Sequence, residues 1–262
     1  MDQMKGIAIF LMVVGHVLLF TFGISGSPLE RILVSNMPIF FYVSGFFCYK
    51  EIATKETFLE CLKKKCVRLL PPWIVFSAIM SYVRHEDFVG TVCKFYWFFY
   101  VLFTVSVLSI SLEYLLFRHC KKDIVYVCAV FSLPVLFAVL HIAGCSMKYL
   151  PFFQFSMYAL SFNIGWLSRK YEKLNRFLLE NQLASLAAFI IFTAFIFHLL
   201  PENNYISCFA GICGIVLIQS CLYKLSYQGK NKGFCILSRV GKSSLAIYVL
   251  NNFLLPNFRG GG

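Results

Sequence analysis

Nine apolar runs follow one another along the chain, and they restrict its fold more than any other feature. The runs occupy residues 6–24, 32–49, 69–83, 95–112, 124–147, 149–168, 181–201, 203–223 and 243–258. A helix of roughly 20 apolar residues crosses the hydrocarbon core of a bilayer, and its backbone satisfies its own hydrogen bonds there. We therefore predict an all-α, polytopic transmembrane helical bundle of about nine spans, formed by residues 1–262 as a single domain.

The composition agrees with a membrane protein and argues against a nucleic-acid-binding protein and a metal-binding protein. Only 14% of the residues are charged, against about 25% in soluble domains, and 59% are hydrophobic. The net charge of +12 lies between apolar runs and forms no basic groove with exposed aromatic residues, so we expect membrane lipid around the chain and no nucleic acid. The eleven cysteines lack metal-site spacing, so no metal is expected.

The basic residues predict the orientation of the bundle. If the N-terminus is cytoplasmic, nineteen of the 24 Lys and Arg residues fall in cytoplasmic segments. Cytoplasmic loops of membrane proteins carry an excess of these residues. We therefore predict a cytoplasmic N-terminus and, with nine spans, a C-terminus on the other side.

The first apolar run contains a titratable side chain, His16, near its middle. Ionisable residues inside a membrane are costly and indicate a functional site by default. Lys5 lies eleven positions earlier, so on a helix the two side chains share one face about 16 Å apart along the axis. This pattern suits a long ligand with an anionic head and a reactive tail.

Six stretches of the chain, taken together and in order, carry a resemblance to a known family. They are residues 4–16, which contain Lys5 and His16; 37–47, which begin Met37-Pro38 and end Ser44-Gly45-Phe46-Phe47; 63–71, a basic run ending Arg68-Leu69-Leu70-Pro71; 97–103, which begin Trp97-Phe98-Phe99; 165–167; and 240–248, from Val240-Gly241-Lys242 to Ile247-Tyr248. The set resembles the acyltransferase 3 family, whose members move acyl groups onto sugars and other hydroxyl compounds.

The chain also departs from this family's pattern. The family usually has about ten spans, so the chain is expected to be short by one helix at the C-terminus. The basic residue of the first motif is more often Arg, and Lys5 resembles the sugar O-acetylase branch. Asn36 and Asn251 stand where many relatives carry His, and an amide cannot titrate near neutral pH.

The resemblance implies a membrane-bound O-acyltransferase of the bacterial inner membrane. It would move an acyl group, acetyl by expectation, from acyl-coenzyme A to a sugar hydroxyl of a surface polysaccharide or lipid-linked precursor. No permanently bound cofactor is expected, since acetyl-coenzyme A is a substrate. His16 would be the general base, because a neutral imidazole can accept the proton of the attacking hydroxyl. Lys5, Lys65 and Arg68 would bind the donor, and Ser44, Asn36, Tyr248 and Asn251 are candidates for oxyanion or acceptor contacts.

Three alternatives remain open at the level of the sequence. A bundle of apolar helices also suits a transporter or flippase, although we find no internal repeat. A family member that has lost catalysis is the second alternative. In the third, His16 only bonds a neighbouring helix and the basic residues only set topology.

Smaller expectations concern polar residues and prolines within the runs. Glu113 is expected to reach water at the cytoplasmic face. Gln154, Asn163 and Gln219 are expected to bridge helices. The pair Pro71-Pro72 is expected to force an irregular start of the third span.

Overall fold

Helices account for the regular structure of the chain. The computed structural model describes residues 1–21, 31, 36–85, 87–89, 96–119, 122–144, 152–197, 199, 204–227, 232–244 and 246–248. These residues form the helices α1 (Asp2–Thr21), α2 (Asn36–Cys48), α3 (Lys55–Arg84), α4 (Trp97–His119), α5 (Asp123–Ile142), α6 (Phe152–Lys170), α7 (Glu172–Glu180), α8 (Gln182–Ile196), α9 (Asn204–Tyr227) and α10 (Lys232–Lys242), and no strand. The prediction of an all-α fold is confirmed.

The helices coincide with most of the predicted membrane spans. The first eight predicted spans each overlap one helix, and the ninth, 243–258, lies largely outside the described residues. By length and composition, four described helices are able to cross a membrane: α3, α4, α5 and α9. The pair α7 and α8, bent by 64°, makes a fifth candidate if it is one span. The chain is thus a helical membrane protein, and the number of nine spans stays a prediction.

Two helices, α7 and α10, were not predicted from the apolar runs. In both, charged residues interrupt the apolar ones, as in the sequence EKLNRFLLE of α7 and KGFCILSRVGK of α10. Such segments contain no long apolar run and so do not meet the criterion used for membrane spans. Their apolar residues instead recur with the helical period of 3.6 residues, which indicates one apolar face. They are therefore amphipathic helices between the longer ones.

The expected irregular start of the third span is wrong. Helix α3 is continuous over 30 residues, and Pro71 and Pro72 lie inside it. It begins earlier than the apolar run because Thr54 caps it, accepting a hydrogen bond from the Thr57 backbone N–H at 3.2 Å. Interior prolines remove two backbone donors, yet the helix extends through them.

The chain divides into two compact units. The terminal unit comprises Met1–Ser44 and Ser168–Gly262, and the central unit comprises Gly45–Leu167. In the terminal unit α1 packs on α10, α8 packs on α9, and α7 packs on α9. In the central unit α3 packs on α4, which also contacts α5. The single-domain organisation stays a prediction.

Glycines bring α1 and α10 into backbone contact. A Cβ atom at Gly6 would overlap the Leu237 carbonyl, and one at Gly241 would overlap the Asp2 carbonyl. Asp2 meets Gly241 and Gly6 meets Leu237. The residue numbers decrease along α10 as they increase along α1, so the two helices run antiparallel. Only glycine permits so close an approach. The first and the last of the six matched stretches therefore meet in space.

In the central unit, a side chain from α6 compensates for a proline in α5. Pro134 has no N–H, so the Val130 carbonyl, four residues earlier in the helix, lacks its usual donor. The Asn163 amide, 2% exposed, donates to that carbonyl at 2.7 Å. Asn163 thus bridges two helices, as predicted.

This contact predicts a rescue between two substitutions. Asn163→Leu is expected to lower the free energy of unfolding by about 1–3 kcal/mol, because the buried Val130 carbonyl loses its donor. Adding Pro134→Ala is expected to recover most of that loss, since it restores a backbone N–H four residues after Val130. Thermal unfolding of the detergent-solubilised protein measures both effects. Ser132→Ala, at an exposed site on the same helix, is the control; a double variant no more stable than Asn163→Leu alone contradicts the assignment.

Candidate active site

His16 belongs to the buried stripe of α1. Met4, Ala8, Ile9 and Met12 are each no more than 2% exposed. His16 follows Ile9 by seven residues and Met12 by four, which are the spacings of a single helix face. Phe10, on another face, is 62% exposed. The half-buried imidazole therefore projects on the same side as the packed residues.

Lys5 lies on the same stripe, near the start of the helix. Because α1 is continuous from Asp2 to Thr21, the eleven positions between Lys5 and His16 correspond to about 16 Å along the axis. The Lys5 ammonium lies 3.6 Å from the Asp2 carboxylate, and its side chain is 19% exposed. An ammonium at the end of the helix and an imidazole deeper along it thus share one face.

The remaining predicted residues of the terminal unit lie on two further segments. Asn36 is the first residue of α2 and Ser44 lies two turns later, and both are half-buried. Tyr248 is buried, with 3% of its surface exposed. Asn251 lies outside the described residues.

Lys65 and Arg68 lie on α3, in the central unit. The half-buried Lys65 ammonium is within interaction distance of the buried Cys48 thiol, which also faces Ser106. Arg68 is exposed. Three residues apart, the two basic side chains point to similar sides of the helix. The neighbouring Lys64 instead pairs with Glu60 at 2.6 Å.

A cavity of about 210 Å³ opens beside the first turn of α1, within the terminal unit. It is lined by Met1, directly before α1, by Gln3 and Met4 of α1, by Asn175 and Leu179 of α7, and by Gln219, Leu222 and Tyr223 of α9. The Gln219 amide donates to Asn175 Oδ1 at 3.1 Å, so Gln219 bridges α9 and α7 as predicted. The cavity was not predictable from the sequence, because its polar residues come from three distant segments.

Glu113 was expected to reach water, and the structure shows that it does not. Its side chain in α4 is 1% exposed, and its carboxylate accepts a hydrogen bond from the Tyr126 hydroxyl. Trp166 Nε1 donates to that hydroxyl at 2.8 Å. A buried polar group needs hydrogen bonds to replace its lost hydration. The Tyr126 hydroxyl of α5 provides one to Glu113, and Trp166 of α6 donates in turn to that hydroxyl.

The long apolar helices define a multi-pass membrane protein. A sequence profile of the acyltransferase 3 family, described as an acyltransferase domain, matches residues 1–261. The chain therefore belongs to this family, and its activity is that of a membrane acyltransferase. No curated protein and no solved structure gives a significant match to the chain.

Proposed function

We propose that this protein is an O-acyltransferase that uses acyl-coenzyme A, with acetyl as the acyl group. The acceptor is a sugar hydroxyl of a surface polysaccharide or of its lipid-linked precursor. We further propose that the bundle lies in the bacterial inner membrane with its N-terminus in the cytoplasm. The observation that carries the proposal is the single stripe of α1 on which Lys5 and the half-buried His16 lie, in a chain of an acyltransferase family.

In the proposed reaction His16 is the general base. The imidazole takes the proton of the sugar hydroxyl as its oxygen attacks the thioester carbonyl carbon. The tetrahedral oxyanion collapses, the carbon–sulfur bond breaks, and the departing thiolate takes the proton from the imidazolium. The products are the sugar ester and free coenzyme A. Hydrogen-bond donors stabilise the oxyanion in such a step, and Ser44, Asn36, Tyr248 and Asn251 are the proposed donors or acceptor contacts.

The phosphates of the donor are proposed to bind at the basic residues of the cytoplasmic face. Lys5 extends from the first turn of α1, in a position where a phosphate can compete with Asp2 for the ammonium. The exposed Arg68 is free of ion pairs with other described residues, and its guanidinium suits bidentate phosphate contact. Lys65 is the third proposed donor ligand.

Transfer of radiolabel tests the proposed function. The purified protein is incubated with acetyl-coenzyme A labelled in the acetyl group and with candidate glycans. Label in the glycan supports the proposal. A transporter or a catalytically inactive family member transfers none, so a lack of transfer to every glycan contradicts it.

A second prediction concerns donor affinity. Lys5→Ala is expected to weaken binding of acetyl-coenzyme A about 10- to 100-fold, the range for loss of a charge-assisted hydrogen bond. Lys5→Arg is expected to retain most of the affinity, because it keeps the charge. Isothermal titration measures the dissociation constants. Lys173→Ala, at an exposed cation of α7, is the matched control; equal affinity in wild type and Lys5→Ala removes Lys5 from the donor site.

A further inference from the structure

We propose that α7 is a surface helix that binds the phospholipid bilayer, lying in the plane of the interface with the Phe177 ring between the headgroups and the acyl chains. The helix connects α6 to α8. The apolar run 181–201, which contains α8, is long enough to cross the hydrocarbon core without α7. The proposal concerns neither the acyl donor nor the acceptor, so it goes beyond the proposed function.

One side of α7 is charged and exposed. Its charged residues recur at the spacing of a single helix side, and they are Glu172, Lys173, Arg176 and Glu180. The Arg176 guanidinium pairs with the Glu172 carboxylate at 2.8 Å, and the two side chains are 66% and 76% exposed. This side of the helix therefore faces water.

The other side of α7 is apolar and only partly covered by protein. Leu174, Phe177 and Leu178 follow the i, i+3, i+4 spacing of one face. Leu174 and Leu178 are half-buried, whereas Phe177 is 50% exposed. Transfer of such a ring from water to an apolar environment is favourable. A helix with one charged and one apolar side is typical of segments that lie on a membrane surface.

Two hydrogen bonds to α9 fix the depth of α7. Helix α9 contains the candidate membrane span Tyr205–Leu225. The Gln219 amide donates to Asn175 Oδ1 at 3.1 Å, and the Tyr223 hydroxyl donates to Glu180 Oε1 at 3.0 Å. At about 1.5 Å rise per residue, both donors lie within roughly 10 Å of the end of that span. Helix α7 is therefore at the level where the span meets the membrane surface.

The junction with α8 turns α7 toward the membrane plane. The two helices are bent by 64°, and Asn181 stabilises the bend because it ends the first helix and caps the second. Its backbone N–H donates to the Phe177 carbonyl at 3.1 Å, and its Oδ1 accepts from the Ala184 N–H at 3.0 Å. Since α8 packs along α9, a helix inclined at this angle lies closer to the membrane plane than to the direction of the spans.

The charges around α7 suit the phosphate groups of the headgroup layer. Residues 169–180 carry two acidic side chains, Glu172 and Glu180, and four basic ones, Arg169, Lys170, Lys173 and Arg176. Anionic headgroups attract such an excess of basic residues near a membrane. A second copy of the chain would bring the same positive charges together, so the bilayer is the occupant that this charge distribution favours.

Tryptophan fluorescence of the full-length protein in vesicles of phosphatidylcholine and phosphatidylglycerol tests the proposal. Phe177→Trp is expected to add an emission to that of the three native tryptophans. This added emission is expected at short wavelength and is expected to be quenched by phospholipid brominated near the headgroup. Lys173→Trp, at an exposed position on the charged side, is the matched control. Its added emission is expected at longer wavelength, with quenching by aqueous iodide instead.

A measurement on the wild-type chain keeps the test valid if the Phe177→Trp protein does not fold. A phospholipid with a photoactivatable group near its headgroup is expected to label Phe177, and lack of this label overturns the proposal. Equal quenching of both added tryptophans by iodide also overturns it, because α7 would then face water on both sides. So does stronger quenching of Trp emission in Phe177→Trp by lipid brominated near the methyl end, which indicates a broken span. Emission that neither bromine nor iodide quenches indicates a second copy over the face, and it overturns the proposal too.

Discussion

Substitution of His16 by alanine is expected to lower the rate of acyl transfer by about 10²- to 10⁴-fold, the usual contribution of a general base. The expectation rests on the position of the half-buried imidazole in the packed stripe of α1. His16→Asn is expected to be equally slow, because an amide keeps a hydrogen-bonding group but cannot accept the proton. Turnover is measured from labelled acetyl-coenzyme A at saturating donor and acceptor.

Measuring both turnover and thermal unfolding of these variants distinguishes a catalytic base from a structural histidine. A histidine that only joins two helices would lower the unfolding temperature when replaced, while the folded fraction would keep its turnover. His141→Ala, at an exposed histidine of α5, controls for the loss of an imidazole elsewhere and is expected to match wild type. Near-normal turnover in a folded His16→Ala or His16→Asn protein refutes the assignment of the base.

Gly241→Leu is expected to have the second large effect. Even a Cβ at this position overlaps the Asp2 carbonyl. The clash is with backbone, which cannot move aside as the end of a flexible side chain can. We expect α1 to shift, stability to fall by about 1–3 kcal/mol, and transfer to fall about 10²-fold, as for a misplacement of roughly 1 Å at a catalytic group. Thermal unfolding and labelled transfer measure the two effects.

A matched control for this substitution lies five residues further along the chain. Ala246 is exposed, so Ala246→Leu adds a comparable volume without meeting α1 and is expected to leave both measurements near wild type. If Gly241→Leu unfolds at the wild-type temperature and transfers at the wild-type rate, the close contact between α1 and α10 is not required.

The apolar runs predicted the helices well, since a long run without charges has few alternatives to a buried helix. Their ends were less predictable. Helix α3 begins at Lys55, fourteen residues before the predicted span, because polar side chains and the Thr54 cap continue a helix outside an apolar run. The amphipathic helices α7 and α10 were not predicted, because they contain no long apolar run.

The candidate site was only partly accessible to sequence reasoning. Local spacing was sufficient for Lys5 and His16, because both lie on one helix whose period is known. Contacts between distant segments were not predictable from one sequence. The hydrogen bond that Gln219 donates to Asn175 joins residues 44 positions apart, and the surroundings of Glu113 come from Tyr126 and Trp166 on two other helices. Such pairs become visible only when the helices are packed.

The antiparallel contact of α1 with α10 also has a consequence for biosynthesis. The principal described partner of the first helix begins at Lys232, so it leaves the ribosome about 210 residues after the end of α1 at Thr21. At about 5–20 residues per second, the first helix waits on the order of ten to fifty seconds for it. During that interval the nascent helix has lipid or the insertion machinery as its neighbour, and the stripe that carries His16 acquires its final surroundings only after α10 has been synthesised.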